Sequence, residues 1–240
     1  MFRLKAATAF LWLATALSVL HPYYRSIGHA WLSLLGLPDL FMWLACAGEL
    51  VLGLLILVLP PRRWLMLLQV LAVCVFTVAL AVLDPSLLVH PFGVLSKNLP
   101  FLAVVVTVWL LASEGWTSRT WWILRAGMAV VWITEGVFPK LLFIRPEEVE
   151  VVARSGLVPF SPLTFLMLLG AAQAASGVLA LVLKGPWLRA LLAAQMAGLV
   201  ILPLLVSAQD PLLWLHPFGP MTKNIPILVG TFEVFRRCPR

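Results

Sequence analysis

His90-Pro91-Phe92-Gly93-Val94-Leu95-Ser96-Lys97-Asn98-Leu99-Pro100 returns as His216-Pro217-Phe218-Gly219-Pro220-Met221-Thr222-Lys223-Asn224-Ile225-Pro226. The copies stand 126 positions apart in a chain of 240 residues. Their lead-ins, Asp84-Pro85 and Asp210-Pro211, keep the same spacing. A repeat at about half the chain length marks a tandem duplication, and it organises every other reading. Gln69 and Gln195 repeat at the same interval, and Glu49 and Gly53 match Gln173 and Gly177 at 124.

Composition sets the class. The chain is 62% hydrophobic and 11% charged, with a mean hydropathy of +1.02. Soluble domains carry about 25% charged residues, so this is the composition of a polytopic membrane protein. The net charge of +7 does not point to nucleic acid, because the basic residues sit at the ends of apolar runs. Cys46, Cys74 and Cys238 form no CxxC and are odd in number, which argues against a dithiol site; Cys46 and Cys74 read as small core residues. The first apolar run resembles a leader but has no small-x-small cleavage site, so it reads as a retained helix.

Eight apolar segments follow from the breakers, roughly 4–21, 38–59, 63–83 and 98–113, then 120–138, 162–183, 187–208 and 224–237. This predicts an all-α protein with eight transmembrane helices, two four-helix modules (residues 1–116 and 117–240) in parallel tandem repeat. Residues 24–35 and 145–156 read as surface segments, the second with Pro146 at its start and Gly156 as its stop. Asn98 and Asn224 read as helix caps. Phe138-Pro139 is matched to His21-Pro22 as the end of the first helix. One side of this topology holds 11 basic residues and the other 6, which places both termini in the cytoplasm and the protein in the inner (plasma) membrane.

Few residues can carry chemistry. An intramembrane carboxylate is costly and marks a functional candidate. Glu135 lies near the outer end of its helix and Lys140 follows Pro139, so an ion pair is expected. The pair is either an outward-facing polar site, with Glu135 as proton acceptor or cation ligand, or a device fixing the break. Glu49 is mid-helix, and Gln173, its counterpart in the second half, is a candidate partner for a hydrogen bond across the pseudo-symmetry axis. His90 and His216 could face a metal or haem, or cap turns. No third ligand is spaced to help, so no metal is expected. Lys97 and Lys223 read as interfacial anchors or, with Asn98 and Asn224 behind them, as an outer-loop binding surface. The tryptophans near helix ends read as an aromatic belt. No nucleotide, nucleophile-elbow or zinc motif is present, and no catalytic residue can be assigned.

The run Trp132-Ile133-Thr134-Glu135-Gly136-Val137-Phe138-Pro139-Lys140 resembles the first-helix signature of DoxX-like membrane proteins. Pro146-Glu147-Glu148 with Ala153-Arg154-Ser155-Gly156 resembles their acidic connector. Pro217-Phe218-Gly219-Pro220-Met221-Thr222-Lys223-Asn224 resembles the loop before their fourth helix. The first half is similar but has Tyr23 matched to Lys140 and Ser18 to Glu135. The resemblance implies a four-helix module per half and a quinone-interacting or redox-associated subunit. A quinone is the implied cofactor, with the lipid membrane and a redox protein as partners. The alternative it leaves is a non-enzymatic scaffold or assembly partner.

Overall fold

The structure is a computed structural model and describes residues 1–238; Pro239 and Arg240, the latter counted among the cytoplasmic basic residues, lie outside the described residues. Ten helices and no strand occur among the described residues. The first half holds α1 (Phe2–Ser18), α2 (Pro22–Leu34), α3 (Leu40–Val58), α4 (Arg63–Leu83) and α5 (Asn98–Ser113). The second holds α6 (Ser118–Val137), α7 (Pro146–Ser155), α8 (Pro162–Val182), α9 (Gly185–Ser207) and α10 (Asn224–Arg236).

The first and last helices of each half form the centre. α1 packs on α3, α5 and α10, while α6 packs on α8, α5 and α10. Phe101, Val104 and Val105 of α5, Met128 of α6 and Ile227 and Val234 of α10 are almost fully buried there. α4 and α9 lie outside and leave Leu67, Leu71, Val78, Ile201 and Leu204 exposed. Such apolar flanks suit lipid rather than water.

Fewer helices reach spanning length than the eight spans read off the sequence. α3, α4, α8 and α9 are each long and apolar enough to cross a membrane. Two bent pairs bring the count to six: α1 with α2, at 86°, and α6 with α7, at 97°. α5 has 16 residues and α10 has 13, short of the ~20 that a perpendicular span needs. Each follows a coiled segment with one short 3₁₀ turn, Pro85–Val89 or Pro211–Leu215, that leads into the repeated loop.

The structure also resets the match between the halves. Gly53 packs against Ala9 and Leu13, and Gly177 packs against Ala129 and Ile133. The first helices therefore correspond at an interval of 120, which sets Trp12 against Trp132 and Thr15, not Ser18, against Glu135. Pro22 and Pro146 each begin the short bent helix, so Pro146 rather than Phe138-Pro139 is the counterpart of His21-Pro22. The interval grows from 120 to 124 across the π-helical segment Phe138–Leu142. A π-turn is the usual way a helix absorbs extra residues.

Candidate functional site

The two repeated loops meet on the pseudo-twofold axis. Lys97 donates to the carbonyl of Pro220 (2.8 Å), and Lys223 donates to the carbonyl of Val94 (2.7 Å). Val94 and Pro220 are themselves 126 apart, so each lysine closes the loop of the other half. Lys97 also donates to Phe92 O at 2.9 Å. Both lysines are buried. Their protons go to buried carbonyls that need partners. Burial draws their ammonium groups down, Lys97 to about 8 and Lys223 to about 7. Glu135 opposes this at Lys97, and Glu49 and Glu135 oppose it at Lys223. Glu49 of α3 and Glu135 of α6 are thus the carboxylates whose charges bear on the two lysines. Gly93, at φ 69°, leaves room: a Cβ there would lie 2.7 Å from both Glu135 Oε1 and Lys97 Cε.

Asn98 and Asn224 begin α5 and α10, but the capping position belongs to the lysines before them and no side chain caps either helix. Asn98 instead donates to Thr77 of α4 at 2.8 Å. His90 and His216 do cap turns. Each Nδ1 accepts the backbone N–H two residues on, from Phe92 or Phe218, at 3.3 Å. Burial draws both imidazoles down to about 4, so they are neutral with the proton on Nε2. They line a cavity of about 220 Å³ with Tyr23, Arg145 and Glu147. No cluster of three metal-ligating side chains occurs among the described residues.

Lys140 has a different partner from the one expected. Its ammonium pairs with Glu148 at 2.9 Å and reaches only the backbone carbonyl of Glu135, at 3.3 Å. The Glu135 carboxylate accepts from Ser96. The cause is the π-helical segment with the 97° bend after it, which swings α7 back over the end of α6. Lys140 and Glu148 are both buried. Burial pushes the Glu148 carboxyl up, and Lys140 opposes that. Nor do Glu49 and Gln173 bond to each other: Glu49 Oε2 and Gln173 Oε1 are both buried without a partner.

These groups sit beside a cavity of about 180 Å³ in the second half. Glu135, Lys140, Glu148, Gln173, Lys97 and Asn224 supply its polar floor. Trp132, Phe165, Leu199, Leu202 and Val206 supply its apolar wall. Leu157 and Leu205, both on the surface, line it as well. An apolar cavity of about 150 Å³ holds benzene, so one substituted ring is within this size.

The first half satisfies the corresponding polar groups internally. Trp12 donates to Gln69 at 3.2 Å, and Tyr24 pairs with Cys46 at 3.2 Å. Cys46 is buried as expected, whereas Cys74 lies exposed on α4. In the second half Gln195 donates to the Ser176 backbone carbonyl at 3.2 Å and to its Oγ at 3.3 Å, the latter a partner that Leu52 lacks. Trp132 Nε1 and Gln195 Oε1 are left without partners. Glu148 stands where Tyr24 would be and Gly170 where Cys46 would be. Trp132, Glu148 and the cavity were not singled out from the sequence, although the divergence of the halves was the available signal.

A model of the DoxX-like family matches the chain twice, over residues 9–106 and 129–232. No curated protein and no solved structure matches the chain.

Proposed function

Since the chain belongs to the DoxX-like family, we propose that it is a redox-associated membrane subunit holding a quinone-class molecule in the second-half cavity. The observation that carries this reading is the pairing of a ring-sized apolar cavity with a floor of titratable groups. A ring with an isoprenoid tail needs an apolar wall that reaches the lipid-facing surface and polar atoms at its buried end. Glu135 serves as proton acceptor on this reading, because one of its oxygens has only a hydroxyl donor. Lys140 and Glu148 hold each other's charge and fix α7 over the site. The first half acts as the structural partner, its Trp12–Gln69 and Tyr24–Cys46 pairs already closed. The two modules are residues 1–116 and 117–240. The protein resides in the inner (plasma) membrane with both termini cytoplasmic, and a redox protein docks on the outer loops.

The test is extraction. Protein purified in mild detergent should release a quinone into organic solvent, in about equimolar amount. Val206→Trp, which fills the cavity from α9, should fold and release none. A quinone-free extract, together with an unchanged melting temperature on adding quinone, would sink this reading in favour of the scaffold role.

A further inference from the structure

Three guanidinium groups meet where α1 begins and α10 stops. Arg3 of α1 and Arg236 and Arg237 at the end of α10 all face the carboxylate of Glu233, at 3.5, 3.5 and 3.6 Å. Glu233 is 3% exposed, whereas the three arginine side chains are 54%, 47% and 38% exposed. The contacts are loose, since a charge-assisted hydrogen bond closes to about 2.7–2.9 Å. Other cations at this end give their protons to backbone carbonyls: Lys5 to Leu57, Arg125 to Ala180 and Leu183, and Arg189 to Cys238. Arg3, Arg236 and Arg237 have no such acceptor among the described residues. Stacking holds them in place instead. Arg3 and Arg236 lie over the ring of Phe232, at 5.3 and 5.7 Å, and Arg237 lies over Trp116 at 3.9 Å. Three positive charges on one buried negative charge leave a surplus of two, fixed and partly open.

The fold itself does not require this arrangement. At the pseudo-symmetric place, where α6 meets α5, Ile123 stands for Arg3, Thr107 for Glu233, and Leu110 and Leu111 for Arg236 and Arg237. The surplus calls for an anion, and its surroundings point to the source. Phe2, next to Arg3, is 78% exposed, and Trp187, two residues before Arg189, is 74% exposed. Exposed aromatic rings at helix ends lie at the level of lipid head groups. A phosphodiester at that level meets guanidinium forks that fit its oxygens in pairs, while its acyl chains meet Phe2.

We infer that Arg3, Arg236 and Arg237 form a binding site for the phosphate of an anionic phospholipid. Glu233 gathers the three groups. The remaining positive charges select a head group with net negative charge over a zwitterionic one, whose own ammonium they repel. The site is separate from the second-half cavity and independent of what that cavity holds.

The experiment titrates purified protein in mild detergent with dioctanoyl phosphatidylglycerol, with dioctanoyl phosphatidylcholine and with glycerol 3-phosphate, reading the melting temperature. Each arginine near an anionic surface is worth about fivefold in affinity. Phosphatidylglycerol should therefore reach its half-maximal shift at a concentration roughly tenfold or more below that of phosphatidylcholine, and high salt should narrow the gap. Arg3→Gln with Arg236→Gln leaves Arg237 to hold Glu233 and should bring the ratio near one; Arg236→Gln alone should fall between. Arg62→Gln with Arg63→Gln removes the same charge from the same end, outside the cluster, and should keep the parent's ratio. Equal binding of the two lipids by the parent overturns the inference. An equal loss in both double variants overturns it as well, in favour of a diffuse basic surface. A shift from glycerol 3-phosphate as large as that from phosphatidylglycerol overturns the lipid as the source and leaves a site for soluble phosphate esters.

Discussion

At the scale of single residues, the buried Lys140–Glu148 pair is the most exposed to test. Removing one member of a buried pair leaves an uncompensated charge, at a cost of about 3–5 kcal/mol, whereas an apolar replacement of both can be neutral. Lys140→Met alone should therefore lower the melting temperature in detergent more than Lys140→Met with Glu148→Leu. Glu135→Gln should not show this coupling with Lys140, since only the backbone carbonyl of Glu135 touches that ammonium. A large coupling in the second cycle and none in the first would reverse the assignment. The sequence could not settle this partner. Glu135 is five positions from Lys140 and Glu148 is eight, and only the π-turn and bend make the farther one the neighbour. The two histidines give a pH dependence with a definite sign. Their folded-state value is about 4 against an ordinary 6.5, so between those values the unfolded chain holds more protons. Stability should then fall as pH drops through 6.5 towards 4 and change little from this source above 6.5. His90→Asn with His216→Asn should flatten that slope, as read by melting temperature against pH.

At the scale of elements, α6 and α8 cross closely because both present glycine. A Cβ on Gly170 would lie 2.6 Å from Lys140 Cβ and 2.8 Å from Gly136 O, and one on Gly136 would collide with the backbone of α8. Small residues at a crossing let membrane helices approach backbone to backbone. Gly136→Ala should cost about 1–3 kcal/mol, the usual range for overpacking, and should weaken ligand binding by moving α8 from the cavity. Gly48→Ala, where a Cβ meets nothing within 4 Å, should not destabilise; comparable losses in both variants would show that the crossing is not tight. The short helix α7 was legible from its own signals, Pro146 at the start and Gly156, at φ 63°, at the stop. The register of the first helices was not. Four added residues vanish inside a run that is apolar on either side, and only the packing of Gly53 and Gly177 restores the match.

At the scale of the whole molecule, the repeat made the architecture readable, because paired motifs need no knowledge of packing. The cavity was not readable, since it depends on volumes in three dimensions. If α5 and α10 cross as well, each half has four crossings and the repeats are parallel, so reporter fusions at residue 115 and at the C-terminus should localise to the same face. Opposite faces would overturn that topology. The crossed lysines carry one more consequence. A half-chain of this design leaves its Val94-type carbonyl without the lysine that meets it here, since that lysine comes from the other half. A single module of this design would close the same crossed loops as an isologous homodimer, with two identical chambers. Joining the two genes end to end freed the subunits from having to stay alike. One chamber could then close into scaffold while its twin kept an unfilled floor, a division of labour that no symmetric pair of identical chains can adopt.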